Sequence, residues 1–281
     1  MRNALSVDVE DWFQVGAFET VISRDDWDSL ECRVERNTDA VLQLFADAGA
    51  IATFFTLGWV AERYPLLMRR IADAGHEIAS HGYGHDRVFA LTPEQFAADL
   101  KKTRKILEDA SGQAVSGYRA PSFSIDQRTP WAHEILAEHG YAYSSSVAPI
   151  KHDHYGWAEA PRFAFHPVAR SSFLEIPVTT VEFGSKRLAA GGGGFFRILP
   201  YAFSQWAINK VNRHDGRPAI IYFHPWEIDP GQPRVANAPL RSKLRHYTRL
   251  NDMEGKLRRL AGDFQWERLD AVAAREQARL K

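Results

Sequence analysis

Four short clusters hold the residues able to do chemistry: Asp8-Val9-Glu10-Asp11, His81-Gly82-Tyr83-Gly84-His85, Arg119-Ala120-Pro121 and His224-Pro225-Trp226. Imidazoles four residues apart fit one face of a helical turn. With one carboxylate they form a two-His-one-carboxylate site that leaves positions open for water and substrate. Taken singly, a His-x-x-x-His pair is more often surface or core histidine than a metal site, and an acidic triplet is ordinarily a solvated turn. Their ordered combination reverses those odds. Cys32 is the only cysteine, which excludes an internal disulfide framework and a thiolate zinc knuckle. A bound metal must therefore use imidazole and carboxylate.

These groups need a scaffold, and the hydrophobic pattern supplies one. Apolar runs at 5–9, 51–57, 77–80, 115–119, 173–178 and 219–224 read as strands, and helical spacing covers 39–48, 65–74, 93–110, 130–139 and 201–213. Several of these helices stop at glycine, as at Gly49, Gly75 and Gly140. Such alternation predicts an α/β fold with a largely parallel sheet, as a barrel or a doubly wound sheet. Each chemical cluster falls where a predicted strand ends, the place where such architectures collect active-site groups. The stretch 147–173 and the glycine run 191–194 read as loops over a site. After His224 come a Pro/Gly-rich segment at 225–239, a basic helical stretch at 240–259 and a final mixed helix. The expected division is a main domain over 1–224 and a C-terminal extension over 225–281 packed on it.

Length and charge bound the function. The chain has 281 residues, 45% of them apolar or aromatic, enough to bury a large core. Its 35 Lys and Arg balance 35 Asp and Glu, which argues against general nucleic-acid binding. No run approaches the ~20 apolar residues of a membrane span, and charged residues interrupt the N-terminus before an apolar leader can form. A cytoplasmic location is expected. The basic stretch Arg241, Lys243, Arg245, His246 and Arg249 reads as a solvated helix face, with contact to anionic glycan or to a membrane surface as the other reading.

Five ordered motifs carry a resemblance across nearly the whole chain: Ser-Val-Asp-Val-Glu-Asp-Trp-Phe-Gln at 6–14, Ala-Thr-Phe-Phe at 52–55, Ser-His-Gly-Tyr-Gly-His at 80–85, Gly-Tyr-Arg-Ala-Pro-Ser at 117–122 and Tyr-Phe-His-Pro-Trp-Glu at 222–227. The sequence resembles the polysaccharide deacetylases of the NodB-homology type, carbohydrate esterase family 4, and within them the branch tied to bacterial exopolysaccharide and exosortase loci with its C-terminal extension. The resemblance implies a distorted (β/α) barrel and metal-dependent removal of N-acetyl groups from a sugar polymer. It further implies Asp8 as catalytic base, Arg119 as the arginine that holds it, His224 as the acid that protonates the leaving amine, and His81 and His85 as metal ligands. Alternation along a strand puts Glu10 on the face of Asp8, so Glu10 is the expected carboxylate ligand and Asp11 the alternative. The cofactor expected is one divalent ion, zinc first, with cobalt, nickel, iron or manganese open.

The chemistry can be rebuilt from the residues. Amide hydrolysis needs a polarised carbonyl, an activated water and a protonated leaving nitrogen. A divalent ion serves the first two, Asp8 takes the water proton, and His224 delivers one to nitrogen. A backbone N–H at Ser122, just after Pro121, is the expected oxyanion donor. One departure from the family pattern stands out. An aspartate that tunes the acidic histidine in relatives is replaced here within Tyr143-Ser144-Ser145-Ser146-Val147. Asp153, in His152-Asp153-His154, is a candidate substitute, and His152 is a candidate sugar contact. Of the aromatics beside the motifs, Tyr118 and Trp226 are the better candidates for stacking on sugar, although buried aromatics mostly fill cores. The expected partner is an N-acetylated glycan of an exopolysaccharide or its precursor. Two other readings remain: a C–N hydrolase for a small amide or cyclic ureide, and a weakly active glycan-binding component of polysaccharide assembly.

Overall fold

The structure is a computed structural model that describes residues 1–151, 155–184 and 186–280. In chain order its elements are β1 (Arg2–Val9), α1 (Val34–Ala48), β2 (Thr53–Thr56), α2 (Gly58–Arg63), α3 (Pro65–Asp73), β3 (Glu77–Ser80), α4 (Pro93–Ser111), β4 (Gly117–Tyr118), α5 (Ala132–Glu138), β5 (Tyr143–Ser144), β6 (Leu174–Glu175), β7 (Thr180–Phe183), β8 (Lys186–Ala189), α6 (Gly193–Ile198), α7 (Tyr201–Arg213), β9 (Ile220–Phe223), α8 (Leu240–Tyr247), α9 (Leu250–Asp263), β10 (Gln265–Glu267) and α10 (Leu269–Leu280). Short 3₁₀ turns, among them 121–123 and 225–228, fill some of the connections.

The main sheet has eight strands in the order β10-β1-β2-β3-β4-β5-β6, with β9 also paired to β1. Every pairing in it is parallel. Parallel strands are covered by helices on their faces, and all but the first residue of β1 and all of β2 and β3 are buried. The sheet curls into an open parallel barrel flanked by helices, the distorted (β/α) barrel expected. Local signals explain the helix limits. Thr92 and Gln95 form a capping box at the start of α4, and Gly112 ends it at φ 73°. Gly49 closes α1 in the same left-handed conformation. Inside, the rings of Phe54 and Phe223 each meet Phe45 edge-on at 6.1 Å.

The seam between β6 and β9 is closed by non-strand backbone. Ile220 donates to Thr179 Oγ1 at 2.6 Å and Tyr222 N–H to Gly191 O at 2.7 Å. Gly192 sits against Tyr222 at φ 128°, where an added Cβ would lie 1.9 Å from the Tyr222 carbonyl oxygen. The glycine run therefore lets two stretches of this chain's own backbone meet, and it leads into α6. It is a barrel seam rather than a loop over the site.

Past residue 224 the chain adds β10 to the N-terminal half of β1. It then starts α10 with Leu269 N–H on Thr53 Oγ1 at 2.7 Å and Asp270 N–H on Glu77 Oε2 at 3.2 Å. The basic stretch forms two helices, α8 and α9. Arg249 breaks them at φ 59°, where its Nε reaches Asp252 Oδ2 at 2.9 Å and its Nη1 reaches Ile198 O at 3.2 Å. Among the described residues no helix is long and apolar enough to cross a membrane.

Candidate active site

The strand order explains why distant clusters meet. Asp8 is the second-last residue of β1 and Glu10 lies just beyond it; His81 follows β3, Arg119 follows β4 and His224 follows β9. All five stand at the carboxyl end of one parallel sheet, the end where such barrels carry chemistry.

One half of the site is a fully buried guanidinium. Arg119 Nη1 donates to Asp8 Oδ1 at 2.6 Å and to Ser6 Oγ at 2.8 Å, and both acceptors lie on the same face of β1. Its Nε and Nη2 donate to the carbonyl and hydroxyl oxygens of Ser145, each at 3.0 Å. The turn carrying Ser145 is anchored by Glu175, whose Oε1 accepts the N–H groups of Ser146 and Val147 at 2.8 Å and whose Oε2 meets His133 Nε2 at 3.1 Å. Arg119 is thus held from three sides, and it fixes Asp8 through a short charge-assisted bond.

The other half gathers two imidazoles and a carboxylate. His81 Nδ1 lies 2.8 Å from Arg119 O, which can only accept, so Nδ1 carries the proton and the Nε2 lone pair is the one free to ligate. Burial holds its pKa down at about 4, despite the nearby charge of Asp8. The segment 81–85 is an irregular loop and not the helical turn its spacing suggested. Gly82 and His85 adopt φ 73° and 57°. The loop is pinned by Gly82 O on Gly58 N–H at 2.9 Å, Tyr83 N–H on Asp99 Oδ1 at 3.0 Å, and Gly84 O on Arg24 Nη2 at 2.6 Å. A left-handed histidine is a strained conformation that this surrounding network sustains.

Glu10, His81 and His85 offer ligand atoms that all lie within 4.8 Å of one another. Glu10 Oε2 is 2.8 Å from His85 Nε2, yet it is buried and lies outside hydrogen-bond geometry with any donor. Burial would raise the Glu10 pKa, but electrostatic interaction with His85 and His224 overrides it and holds the group at about 2. An ionised, unsatisfied carboxylate oxygen facing two imidazoles suits a divalent cation. The donor set fits a two-His-one-carboxylate site.

Asp11 is turned away to different work. Its Oδ1 accepts Trp12 N–H at 2.8 Å, and its Oδ2 accepts the N–H groups of Arg33 and Val34 at 2.6 and 2.9 Å, where α1 begins. Burial pushes its pKa up to about 6 against the pull of those bonds. Two variants separate the acids. Asp11→Ala is expected to lower stability by about 1–2 kcal/mol, as lost helix caps do, while keeping one metal per chain. Glu10→Ala is expected to lose the metal. Denaturant melts and metal analysis of dialysed protein read both, and metal loss in Asp11→Ala alone would reverse the assignment.

The surroundings of His224 hold the contacts that sequence reasoning missed. His224 Nε2 lies 3.6 Å from Glu10 Oε1, and its Nδ1 lies 2.8 Å from Glu227 Oε1. Burial would lower its pKa, but Glu10 and Glu227 raise it to about 9. Ser144 bonds instead to Ser146 Oγ at 2.6 Å, and His152 and Asp153 lie outside the described residues. Glu227 in turn receives Arg197 Nη1 at 3.0 Å, both side chains being fully buried. The available signal was the spacing His224-Pro225-Trp226-Glu227, a capping-box pattern with proline at the first helical position.

Trp226 donates Nε1–H to Glu10 Oε1 at 3.3 Å. Its ring stacks against His224 at 5.1 Å and against His246 at 4.1 Å. With imidazoles stacked on it and 6% of its surface exposed, it supports the site rather than presenting a face to sugar. Tyr118 packs edge-on with Phe96 and Tyr141 at 5.6 and 5.8 Å, inside the core. Pro121 flanks the histidine loop, 3.8 Å from where a Gly82 Cβ would stand. Ser122 and Phe123 follow it in consecutive left-handed conformations, φ 55° and 50°. That strain marks the turn after Arg119 as one shaped for a site.

Known proteins share this fold. Residues 20–144 match the polysaccharide deacetylase family model, and residues 145–274 match a domain of unknown function, DUF3473. The chain is 36% identical over 107 residues to the peptidoglycan deacetylase of Helicobacter pylori, covering 38% of this chain and 36% of that protein. It is 32% identical over 117 residues to a peptidoglycan-N-acetylglucosamine deacetylase of Bacillus cereus, 41% of each chain. These matches span about two-fifths of either relative. A solved structure from Mycobacterium smegmatis, assigned as a polysaccharide deacetylase, superposes with a TM-score of 0.65 at 19% identity, covering 99% of this chain and 91% of that one. The chain thus has the fold of the NodB-type, carbohydrate esterase family 4 deacetylases, and its residues 20–144 are homologous to them. His81, His85 and Arg119 fall in the first matched segment, Asp8 and Glu10 precede it, and His224 lies in the second.

Proposed function

We propose that the chain is a metal-dependent hydrolase that removes N-acetyl groups from N-acetylhexosamine units of a glycan, with an exopolysaccharide or its precursor as the substrate class. The observation that carries this reading is the convergence of three ligand side chains, a fixed carboxylate and a histidine proton donor at one end of the barrel. Homology to deacetylases of peptidoglycan supports the substrate chemistry, and the resemblance of the N-terminal and C-terminal motifs to the exopolysaccharide branch supports the narrower class.

Glu10, His81 and His85 would hold the divalent ion, which when bound polarises the amide carbonyl and makes a water acidic enough to be deprotonated near neutral pH. Zinc is the first candidate. Asp8 accepts a proton from the attacking water, and Arg119 keeps that carboxylate aimed through a short charge-assisted bond. A C–O bond forms at the acetyl carbon, and charge builds on the carbonyl oxygen, toward which the Ser122 N–H is the proposed backbone donor. His224 then protonates the nitrogen as the C–N bond breaks, leaving acetate and a free amine.

The test is acetate release from N-acetylated oligosaccharides by protein loaded in turn with zinc, cobalt, nickel and manganese. Release that a chelator abolishes and added metal restores is expected. No release with any of the four ions overturns the reading.

A further inference from the structure

We propose that Glu227, clamped by Arg197, is the positioning residue of His224, so that the segment after β6 builds the proton-donating half of the active site. This rests on the hydrolytic reading above and says which residues make its acid competent.

The geometry is specific. Glu227 Oε1 accepts from the His224 backbone N–H at 3.2 Å and faces its Nδ1 at 2.8 Å, gripping one residue at two points. With Nδ1 bound to a carboxylate, the ring presents Nε2 toward Glu10, 3.6 Å away. The other Glu227 oxygen takes Arg197 Nη1 at 3.0 Å. Arg197 reaches onward to the carbonyl of Arg245 at the end of α8 and flanks the Trp226 ring at 5.4 Å. Trp226 fills the space between the imidazoles of His224 and His246, and His246 is tied through Nε2 to Gln232 Oε1 at 2.6 Å. The histidine is thereby held by a carboxylate at its edge and an indole on its face.

A buried ion pair is a poor source of stability, because desolvation of both charges offsets most of their attraction. Arg197 and Glu227 are both fully buried, and the pair's product is a fixed carboxylate beside His224. Ser144, at the end of β5, bonds to Ser146 Oγ, and residues 144–151 contain no carboxylate. The carboxylate comes from the turn that follows β9, and its counter-charge from α6.

The test compares Glu227→Ala and the isosteric Glu227→Gln with wild type on two substrates. On an N-acetylated oligosaccharide, kcat is expected to fall about 10²-fold in the alanine variant, the scale of a misplaced catalytic group. KM and bound metal per chain should stay unchanged, and Gln, which can still accept from Nδ1, should recover part of the loss. On 4-nitrophenyl acetate, whose leaving group departs as a stable anion and needs no acid, the loss should be within about threefold. Equal losses on both substrates, or an alanine variant with wild-type kcat, overturn the proposal. Should the alanine variant fail to fold, the amide-to-ester ratio of the Gln variant decides. Wild-type protein that releases no acetate fails the parent reading instead. The His224 ring position in crystals of either variant then decides this one: a displaced ring is expected, and an unmoved ring contradicts it.

Discussion

Asp8→Asn is expected to reduce acetate release by about 10²- to 10⁴-fold, the usual worth of one general base, while the metal stays bound. Asparagine keeps an oxygen at the position that accepts Arg119 Nη1 at 2.6 Å, so the hydrogen bond and the shape of the site are retained even though the stranded guanidinium lowers stability. What it cannot do is accept a proton from water. Glu10, His81 and His85 do not involve Asp8 as a ligand, so metal affinity should hold within a few-fold while turnover collapses. Steady-state kinetics beside metal titration would show this split. A variant with near-normal turnover would move the base elsewhere. Glycan binding that persists in a wild-type protein without turnover would favour the glycan-binding reading.

The second large effect is on stability. Arg119 and Asp8 are almost wholly buried, at 0% and 2% exposure. Removing one charge leaves the other uncompensated in a dry interior, which typically costs about 3–5 kcal/mol. Arg119→Met should therefore unfold at much lower denaturant concentration. Asp8→Asn combined with Arg119→Met leaves neither charge stranded, so the double variant should be more stable than Arg119→Met alone. Strictly additive losses in a double-mutant cycle would show that the pair does not interact as the geometry requires.

The parts of this architecture that were legible in sequence are those written by local pattern. Apolar runs ending in Asp8, His81, Arg119 and His224 located the strand ends, and period-two alternation separated Glu10 from Asp11 before any coordinates. Glycine at 49 and 140 marked helix ends because a left-handed φ, 63° and 74° here, is cheap for glycine. The histidine spacing misled, since left-handed turns at Gly82 and His85 curl the chain into a loop pinned by Asp99 and Arg24, contacts that no local window contains. The glycine run at 191–194 misled for the same reason. Its partner is β9, some 30 residues on, and the close approach belongs to the barrel seam. Glu227 was written plainly, three residues after His224, but its meaning depends on Arg197 arriving from α6. Tyr118 and Trp226 were legible as motif neighbours. Only packing shows that the first lies in the core and the second between two imidazoles.

The most direct measurement is anomalous diffraction from crystals grown with zinc, recorded on both sides of the zinc absorption edge. A single peak is predicted within bonding distance of a Glu10 oxygen, His81 Nε2 and His85 Nε2, with the Asp8 carboxylate beside it and Asp11 still on the Arg33 and Val34 N–H groups. A peak at other residues, or none at saturating zinc, would contradict the account at its root.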